Sequence, residues 1–373
     1  MMIFCEVFSV SGIGWSCGRI SGVYSNFSVC YTIRQTPDAG KRDKEVFTDY
    51  NEKGIKTMEK RKIIMDCDPG IDDAIALAYA AAHPEAFELL AVTTVAGNQT
   101  IEKVTRNALD LTAFYKLDVP VAAGMVEPIV REPQTASEFH GKNGLGDCTI
   151  PKSDAEPVKE MAVFYIKKLL TELPEGEKAT LICTAPLTNI GILLKIYPEV
   201  KDKIEEIILM GGAVAGGNVT ASAEFNIYVD PEAARIVFKS GVPVVMCGLD
   251  VTEKCALTAD QIRKLSQTDN KVAKLCGDMA AYSLENGNKF RGKVSIHDAV
   301  PFMYLTHPEI FKTRKALLDV DCADGVSAGR TIADFRWWTY EEKDENIAVM
   351  DADAAKFQEY LIEAVYELGE KVK

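Results

Sequence analysis

Four aspartates lie within eight residues directly after a short apolar run, and this acidic turn limits what the chain can fold into more than any other segment. The apolar run at residues 63–65 has the length and composition of a buried strand. Pro69-Gly70 then forces a turn, and apolar residues recur at helical spacing from Ala74 onward. The segment therefore predicts a strand, a turn and a helix, with carboxylates at the turn.

The four carboxylates also predict chemistry at that turn. Carboxylates this close repel one another, so in a partly buried site they require a cation or protonation. Ligands that are all oxygen favour a hard ion, Ca²⁺ or Mg²⁺, over zinc. Open α/β sheets bind their ligands where a strand ends and a helix begins. An exposed Asp-Pro-Gly turn is the alternative, but the clustering favours a metal or catalytic site formed by Asp66, Asp68, Asp72 and Asp73.

The composition argues against several classes of partner. The 373 residues carry a formal net charge of −13 and no run of Lys and Arg that would form a basic face. Nucleic acid and anionic membranes would be repelled, and no apolar run is long enough to span a membrane. The ten cysteines are scattered without a CxxC pair, which is typical of free thiols in a reducing compartment. We therefore predict a cytoplasmic protein with no nucleic-acid or membrane partner.

Residues 1–57 differ from the rest of the chain. The first 32 residues mix apolar side chains with Ser and Gly without a helical or alternating period, and a strongly polar stretch follows from residue 34. Met58 begins a short charged lead-in to the first predicted strand. We interpret residues 1–57 as a disordered appendage or an overextended reading frame, with a cryptic export signal as the less favoured alternative, and residues 58–373 as one domain.

From residue 62 onward, strand-like and helix-like segments alternate with short connections. Continuously apolar strands of this kind are buried on both faces of a parallel sheet. Residues 125–155 form a long Pro- and Gly-rich loop, of a length that is usually functional. The pattern predicts an α/β fold with a mostly parallel, doubly wound, Rossmann-like central sheet flanked by helices. The predicted strands lie at residues 89–95, 119–123, 179–184, 207–210 and 242–249.

Polar residues collect where these strands end. Each has an ordinary explanation taken alone, because turns, flexible glycine loops and helix caps use the same residue types. Their shared place at the carboxyl edge of an α/β sheet favours one common site instead. The residues are Asn98, Thr184, the glycine-rich run at 211–218, Glu224, Asn226 and the pair His297-Asp298.

The acidic turn resembles the N-terminal signature of the nucleoside hydrolases, which reads DxDPGxDD in their inosine–uridine-preferring branch. The resemblance extends from about residue 62 to the C terminus. It implies the nucleoside hydrolase fold and hydrolysis of the N-glycosidic bond of ribonucleosides to free base and ribose, in purine and pyrimidine salvage. Further matching segments are Ala91-Val-Thr-Thr-Val-Ala-Gly-Asn98, Leu187-Thr-Asn189, Leu209-Met-Gly-Gly212, Ala223-Glu-Phe-Asn226, Asp230-Pro-Glu-Ala-Ala and His297-Asp298.

The resemblance also implies a role for each polar residue at that edge. Ca²⁺ would be held by Asp68, Asp73, Asp298 and the backbone carbonyl of Thr184. Asp66 would lie behind these ligands, and Asp68 would also accept the proton of the attacking water. The ribose 2′- and 3′-hydroxyls would be bound by Asp72 and Asn226, with Asn98 nearby. The 5′-hydroxyl would be bound by Asn218 and Glu224. The base would face His140 and His297, the latter protonating it as it leaves. Homodimers or homotetramers are implied as well.

Two other functions stay open at the level of sequence. A Mg²⁺-dependent phosphohydrolase of the haloacid dehalogenase type also begins with DxD after a strand, with Asp66 as nucleophile. That motif requires Thr or Val where this chain has Gly70, and no lysine-bearing phosphate motif is evident. A non-catalytic ribose- or nucleoside-binding protein has no need of four clustered carboxylates. The preferred nucleobase is also open, because no individual base-stacking residue can be matched within residues 282–296.

Overall fold

The computed structural model describes residues 6–9, 16–19, 60–287, 291–339 and 346–372. The chain divides into two units, Met1–Thr57 and Met58–Lys373. In the first, strands β1 (Glu6–Ser9) and β2 (Ser16–Arg19) form an antiparallel pair. The remainder of the segment interpreted as a disordered or spurious extension lies outside the described residues, so that interpretation stays a prediction.

The second unit alternates strands and helices as predicted. Its strands are β3 (Arg61–Cys67), β4 (Phe87–Thr94), β5 (Val121–Ala123), β6 (Ala179–Cys183), β7 (Ile204–Met210), β8 (Val244–Cys247), β9 (Ala256–Thr258), β10 (Lys293–Ser295), β11 (Phe311–Lys315), β12 (Leu317–Val320), β13 (Thr331–Asp334) and β14 (Ile347–Ala352). Its helices are α1 (Ile71–Ala82), α2 (Ile101–Phe114), α3 (Ser137–His140), α4 (Ala162–Glu172), α5 (Thr188–Ile196), α6 (Phe225–Val229), α7 (Pro231–Phe238), α8 (Leu249–Thr252), α9 (Ala259–Ser266), α10 (Lys271–Asn286), α11 (Ala299–Thr306) and α12 (Ala354–Lys371).

Eight of these strands form one central sheet in the order β11-β14-β8-β7-β6-β3-β4-β5. Neighbouring strands are parallel except for β11, which pairs antiparallel with β14 at one edge. The predicted mostly parallel, doubly wound sheet is therefore confirmed. The chain runs outward from β3 to β5 and then returns to place β6 on the other side of β3. This reversal opens a crevice at the carboxyl ends of β3 and β6, where sheets of this type bind ligands.

Strand β3 shows why the sheet needs helices on both faces. Its side chains alternate between two separate hydrophobic cores, with Ile63, Met65 and Cys67 in one and Ile64 in the other. All four are fully buried. The first core also contains residues of α1, α10, α11 and α12, and the second contains residues of α4, α5 and α7. The acidic turn that follows β3 is thus anchored from both sides.

The two edges of the central sheet are short or charged. At one edge, β5 has three residues, and its Val121 carbonyl accepts a hydrogen bond from the backbone N–H of Val158 at 2.8 Å. At the other edge, β11 exposes every residue after Phe311, and Lys312 forms an ion pair with Asp351 at 2.8 Å. No helix in the described ranges is long and apolar enough to cross a membrane.

Candidate active site

The acidic turn folds back on itself at the sheet's carboxyl edge. Asp68 follows the last residue of β3, and α1 begins three residues later at Ile71. The backbone N–H of Gly70 donates a hydrogen bond to Asp73 Oδ2 at 3.0 Å, which caps the helix with its own carboxylate. A Cβ at Gly97 would overlap the Asp68 carboxylate, so only glycine fits there. The turn therefore holds Asp68 and Asp73 on the same side of the crevice.

Three carboxylates from two helix N-termini meet in this crevice. Asp72, Asp73 and Asp298 each offer an oxygen, and these oxygens all lie within 4.8 Å of one another. Asp73 and Asp298 are buried, and Asp298 occupies the position preceding α11. Burial, reinforced by neighbouring carboxylates, raises the pKa of Asp298 well above its usual range and that of Asp72 to about 7. A cation would relieve this mutual repulsion.

Asn98 joins a fourth carboxylate to this group. Its backbone N–H donates to Asp68 Oδ2 at 2.6 Å, and its side-chain Nδ2 donates to Asp68 Oδ1 at 3.2 Å and to Asp73 Oδ2 at 3.3 Å. Asp68 is fully buried, and burial followed by the charge of Asp73 raises its pKa well above the ordinary value. Asn98 thus orients the two acids, in addition to its predicted place near the ribose.

Thr184 and Asn226 connect the ends of β6 and β7 with the start of α6. Thr184 follows β6, and its hydroxyl donates to Asp73 Oδ1 at 2.7 Å. The carbonyl of Thr184 accepts from Asn226 Nδ2 at 3.0 Å, and the same Nδ2 donates to the carbonyl of Met210 at 3.1 Å. Because both Nδ2 protons are used, Asn226 presents its Oδ1 as an acceptor. The structure therefore brings the predicted carbonyl ligand and a predicted ribose-binding residue together.

Glu224 is held by backbone donors from the loop after β7 and from the first turn of α6. Its Oε1 accepts from the N–H of Asn226 at 3.0 Å, and its Oε2 accepts from the N–H of Gly212 at 2.9 Å and of Ile227 at 3.2 Å. Burial raises its pKa to about 7 despite these bonds. Asn218 is exposed nearby, and its Oδ1 accepts from the N–H of Phe225 at 2.9 Å. These two residues, which the resemblance assigns to the 5′-hydroxyl, share the loop leading into α6.

Asp66 lies one layer deeper, inside β3. Its Oδ1 accepts hydrogen bonds from the hydroxyl of Thr93 and from Asn189 Nδ2, the latter at 2.8 Å. No donor among the described residues reaches Asp66 Oδ2. Burial raises the pKa of Asp66 to about 7. Its position behind Asp68 agrees with the predicted supporting role.

The two histidines predicted to face the base come from distant parts of the chain and approach each other. His140 Nδ1 accepts from the backbone N–H of Ile71 at 3.1 Å, so the neutral ring carries its proton on Nε2. His297 Nδ1 lies 2.8 Å from the hydroxyl of Thr252. Burial lowers the pKa of both rings to about 4, and His297 contributes to the shift of His140. Both rings are therefore neutral near pH 7.

Two residues at the site were not singled out as site residues from the sequence. Thr252, fully buried at the end of α8, holds His297, and Asn189, fully buried in α5, holds Asp66. Thr252 follows β8 at the same sheet edge as the other polar residues. It could therefore have been found in the same way, as a polar residue shortly after the end of a strand. Asn189 stands within one of the matching segments but carried no assigned role.

The donor set fits a hard divalent cation. Asp68, Asp72, Asp73 and Asp298 offer only carboxylate oxygens, and they are grouped tightly enough that their burial without a counter-charge is unfavourable. Thr184, whose carbonyl is the fourth predicted ligand, lies beside this group, since its hydroxyl contacts Asp73. Oxygen donors of this kind suit Ca²⁺, Mg²⁺ or Mn²⁺ and not a thiolate-seeking ion.

Comparison with known proteins matches nearly the whole second unit. The sequence model of the family described as inosine-uridine preferring nucleoside hydrolase matches residues 63–359. The pyrimidine-specific ribonucleoside hydrolase RihB of Escherichia coli is 42% identical over 279 residues, which are 74% of this chain and 88% of that protein.

Solved structures agree with this match. The purine-preferring ribonucleoside hydrolase from Gardnerella vaginalis superposes with a TM-score of 0.77 at 32% identity, covering 83% of this chain and 100% of its own. A plant nucleoside hydrolase gives a TM-score of 0.76 at 28% identity, covering 83% of this chain and 99% of its own.

Proposed function

The chain belongs to the inosine–uridine preferring nucleoside hydrolase family and is a ribonucleoside hydrolase, and we propose that it depends on Ca²⁺, prefers pyrimidine nucleosides and serves nucleoside salvage. The phosphohydrolase and the non-catalytic binding protein are set aside by this membership. The pyrimidine preference is supported by the 42% identity to a relative named pyrimidine-specific, against 32% to one named purine-preferring. Salvage follows from the products, a free base and ribose.

One observation carries the metal dependence. The carboxylates of Asp72, Asp73 and Asp298 converge within 4.8 Å, and Asp68 is tied to Asp73 through Asn98. Their assigned roles differ: Asp68, Asp73, Asp298 and the carbonyl of Thr184 would hold the ion, and Asp72 would bind the ribose diol. When bound, Ca²⁺ would orient the 2′- and 3′-hydroxyls and polarise the attacking water.

The carboxylates also serve the reaction directly. Breaking an N-glycosidic bond develops positive charge on the ribosyl ring, and buried carboxylates stabilise that charge strongly in a site that excludes water. Asp68 is oriented to accept a proton from the attacking water, because Asn98 holds both of its oxygens. Asp66, buried behind it with Thr93 and Asn189, adds negative charge at longer range.

Ribose binding uses the two neighbouring loops. Asn226 would accept a hydrogen bond from a ribose hydroxyl at Oδ1, because its Nδ2 is committed to the carbonyls of Thr184 and Met210. Glu224 and Asn218, held on the loop before α6, would bind the 5′-hydroxyl. These contacts place the sugar with its reacting carbon over the carboxylates.

The base side relies on the two histidines. His140 donates from Nε2, because its Nδ1 is occupied by the N–H of Ile71. With Thr252 donating to Nδ1, His297 likewise presents Nε2–H to the leaving base. Both rings are neutral near pH 7, so in the resting site each acts as a hydrogen-bond donor. Negative charge that grows on the departing base raises the pKa of His297, so the ring would gain a proton from solvent and pass it to the base as the glycosidic bond breaks.

A panel of uridine, cytidine and inosine, assayed by release of reducing sugar, tests the proposal. Ribose release should be fastest with the pyrimidine nucleosides, should stop after chelation and should return when Ca²⁺ is added back. Turnover that survives chelation would contradict the metal dependence, and inosine turning over fastest would contradict the base preference. Light scattering of the same sample tests the homodimer or homotetramer that we also propose.

A further inference from the structure

One face of α2, together with Gln99 two residues before the helix begins, holds the loop that carries His140. We define the His140 loop as residues 140–148. Gln99, Lys103 and Asn107 are spaced four residues apart and so lie on one face. Their side chains donate hydrogen bonds to three successive carbonyls of the loop. The bonds run from Gln99 Nε2 to Gly141 at 2.8 Å, from Lys103 Nζ to Lys142 at 2.7 Å and from Asn107 Nδ2 to Asn143 at 2.9 Å.

Asn107 alone among the three also reaches the acidic turn. The same Nδ2 donates to the carbonyl of Pro69 at 3.0 Å, so one buried amide connects the turn to the loop. Gly144, at φ +89°, packs against this amide so closely that a Cβ there would overlap it. The loop is closed on itself by the N–H of Gly146, which donates to the carbonyl of His140 at 2.8 Å.

We propose that Gln99, Lys103 and Asn107 latch the His140 loop and that Asn107 is a positioning residue for the base side of the active site. The inference rests on the proposed placement of His140 against the base. By tying the loop to the Pro69 carbonyl, Asn107 keeps His140 within reach of the Ile71 N–H that fixes its tautomer. Asn107 acts through the loop and touches neither substrate nor metal.

The metal side is held independently of this latch. Asp68 takes its hydrogen bonds from Asn98, and Asp73 takes its from Gly70, Asn98 and Thr184. None of these donors belongs to the latch. Loss of Asn107 should therefore weaken base-side catalysis and leave the affinity for Ca²⁺ as it was.

The experiment is Asn107→Ala compared with Thr112→Val. Thr112 is also buried on α2, but its hydroxyl bonds only to Leu109 of the same helix at 3.1 Å, which makes it a matched control. Asn107→Ala leaves two carbonyls without their donor, and we expect kcat/KM on uridine to fall by about tenfold. Amide exchange in the His140 loop should accelerate, and the calorimetric Kd for Ca²⁺ should stay within about twofold. Thr112→Val should change neither kinetics nor loop exchange.

A double variant separates positioning from general damage. If Asn107 acts through His140, Asn107→Ala should add no more than about twofold to the loss already caused by His140→Ala. An undiminished tenfold loss in that background, or a weakened affinity for Ca²⁺, would overturn the proposal. Should Asn107→Ala fail to fold, Lys103→Met removes an exposed anchor of the same loop. That variant should still accelerate exchange there, and unchanged exchange would overturn the latch.

The outcome is distinguishable from failure of the proposed function. If the parent enzyme released no ribose from any nucleoside, the proposed function would fail while loop exchange still tested the latch. If the parent were active and the loop exchanged equally in Asn107→Ala and the parent, the latch alone would fail.

Discussion

The metal side and the base side of the active site are built in different ways. The metal side, comprising Asp68, Asp73, Asp298 and Thr184, sits on strand ends and helix N-termini. Asp68 and Asp73 each accept more than one hydrogen bond from their neighbours. The base side comprises His140 and His297. One ring is carried by a loop, and each ring has one hydrogen bond to the described part of the chain.

The two sides of the site face different parts of the substrate, the sugar that all ribonucleosides share and the base that differs between them. The sugar is the common part of every ribonucleoside, and in the proposed site its diol faces the metal side, which lies on the rigid ends of the central sheet. The base varies, and it meets loops, which tolerate change without disturbing the core. Relatives named pyrimidine-specific and purine-preferring share this fold. We therefore expect damage on the metal side to abolish turnover of every nucleoside and damage on the base side to depend on the leaving group.

The largest effect is expected on the metal side. Asp298→Asn and Asp73→Asn each remove a charged ligand while keeping the side chain's shape. Turnover of all nucleosides should fall by at least about 10²–10³-fold, together with the affinity for Ca²⁺ measured by calorimetry. Asp319→Asn, at a half-buried carboxylate paired with Arg235 and Lys239, is the control and should change neither turnover nor Ca²⁺ affinity. Unchanged Ca²⁺ affinity in both site variants would show that the ligands are assigned wrongly.

The next effect tests the base side. His297→Ala should lower kcat/KM by about 10²-fold or more on uridine and inosine, whose bases are poor leaving groups unless they are protonated. The same variant should lose little kcat/KM on p-nitrophenyl riboside, whose leaving group needs no proton. Steady-state kinetics on the nucleosides and on p-nitrophenyl riboside measures the loss of kcat/KM for each kind of substrate. His83→Gln, at the end of α1, serves as the control histidine. Equal losses on the two kinds of substrate would leave His297 as a scaffold for Asp298 and remove it as the proton donor.

A smaller effect is expected at Thr252. Thr252→Val keeps the shape of the side chain and deletes the hydroxyl that lies 2.8 Å from His297 Nδ1. Turnover of uridine should fall by about tenfold, because the ring loses its orientation and its tautomer. In the His297→Ala background, Thr252→Val should leave the turnover of uridine almost unchanged. An equal loss in both backgrounds would mean that Thr252 acts on something other than the histidine.

The smallest effect concerns residues 1–57. Every residue assigned to the metal side or the base side lies after Met58. A protein that starts at Met58 should keep kcat/KM within about twofold and its melting temperature within the error of a thermal scan. Lower activity on every nucleoside in that truncation would assign the N-terminal unit a part in the metal side or in folding.

Local sequence patterns point to the metal side more directly than to the base side. The apolar run before Asp66 and the Pro69-Gly70 turn determine where these carboxylates lie, because strand ends and turns follow from local residue types. Asp298 was assigned to the same sheet edge with the other strand-end residues, and the resemblance gave it the role of a metal ligand. Asn107 could not be recognised, because a polar residue on an amphipathic helix is ordinarily solvated. Its role arises only when the Pro69 carbonyl and the His140 loop meet it in space.

Some small elements were missed for the same reason. The loop at 125–155 was expected to be irregular throughout, and it contains the four-residue helix α3 that ends at His140. The strands β9 and β10, which are not among the predicted strands, pair although they lie far apart in sequence. Three-residue strands carry too few residues for a period to show, and their pairing depends on the fold around them.

The edges of the central sheet restrict how copies of this protein can assemble. Strand β5 is three residues long and has the backbone N–H of Val158 bonded to it, and β11 presents the exposed charges of Lys312, Arg314 and Lys315. Such edges resist pairing with a strand of another molecule. Continuous sheets across two subunits, and the edge-to-edge aggregation that exposed strands invite, are thereby disfavoured. Any dimer or tetramer would have to form through helices and loops, which keeps the carboxyl edge of each sheet open to its own substrate.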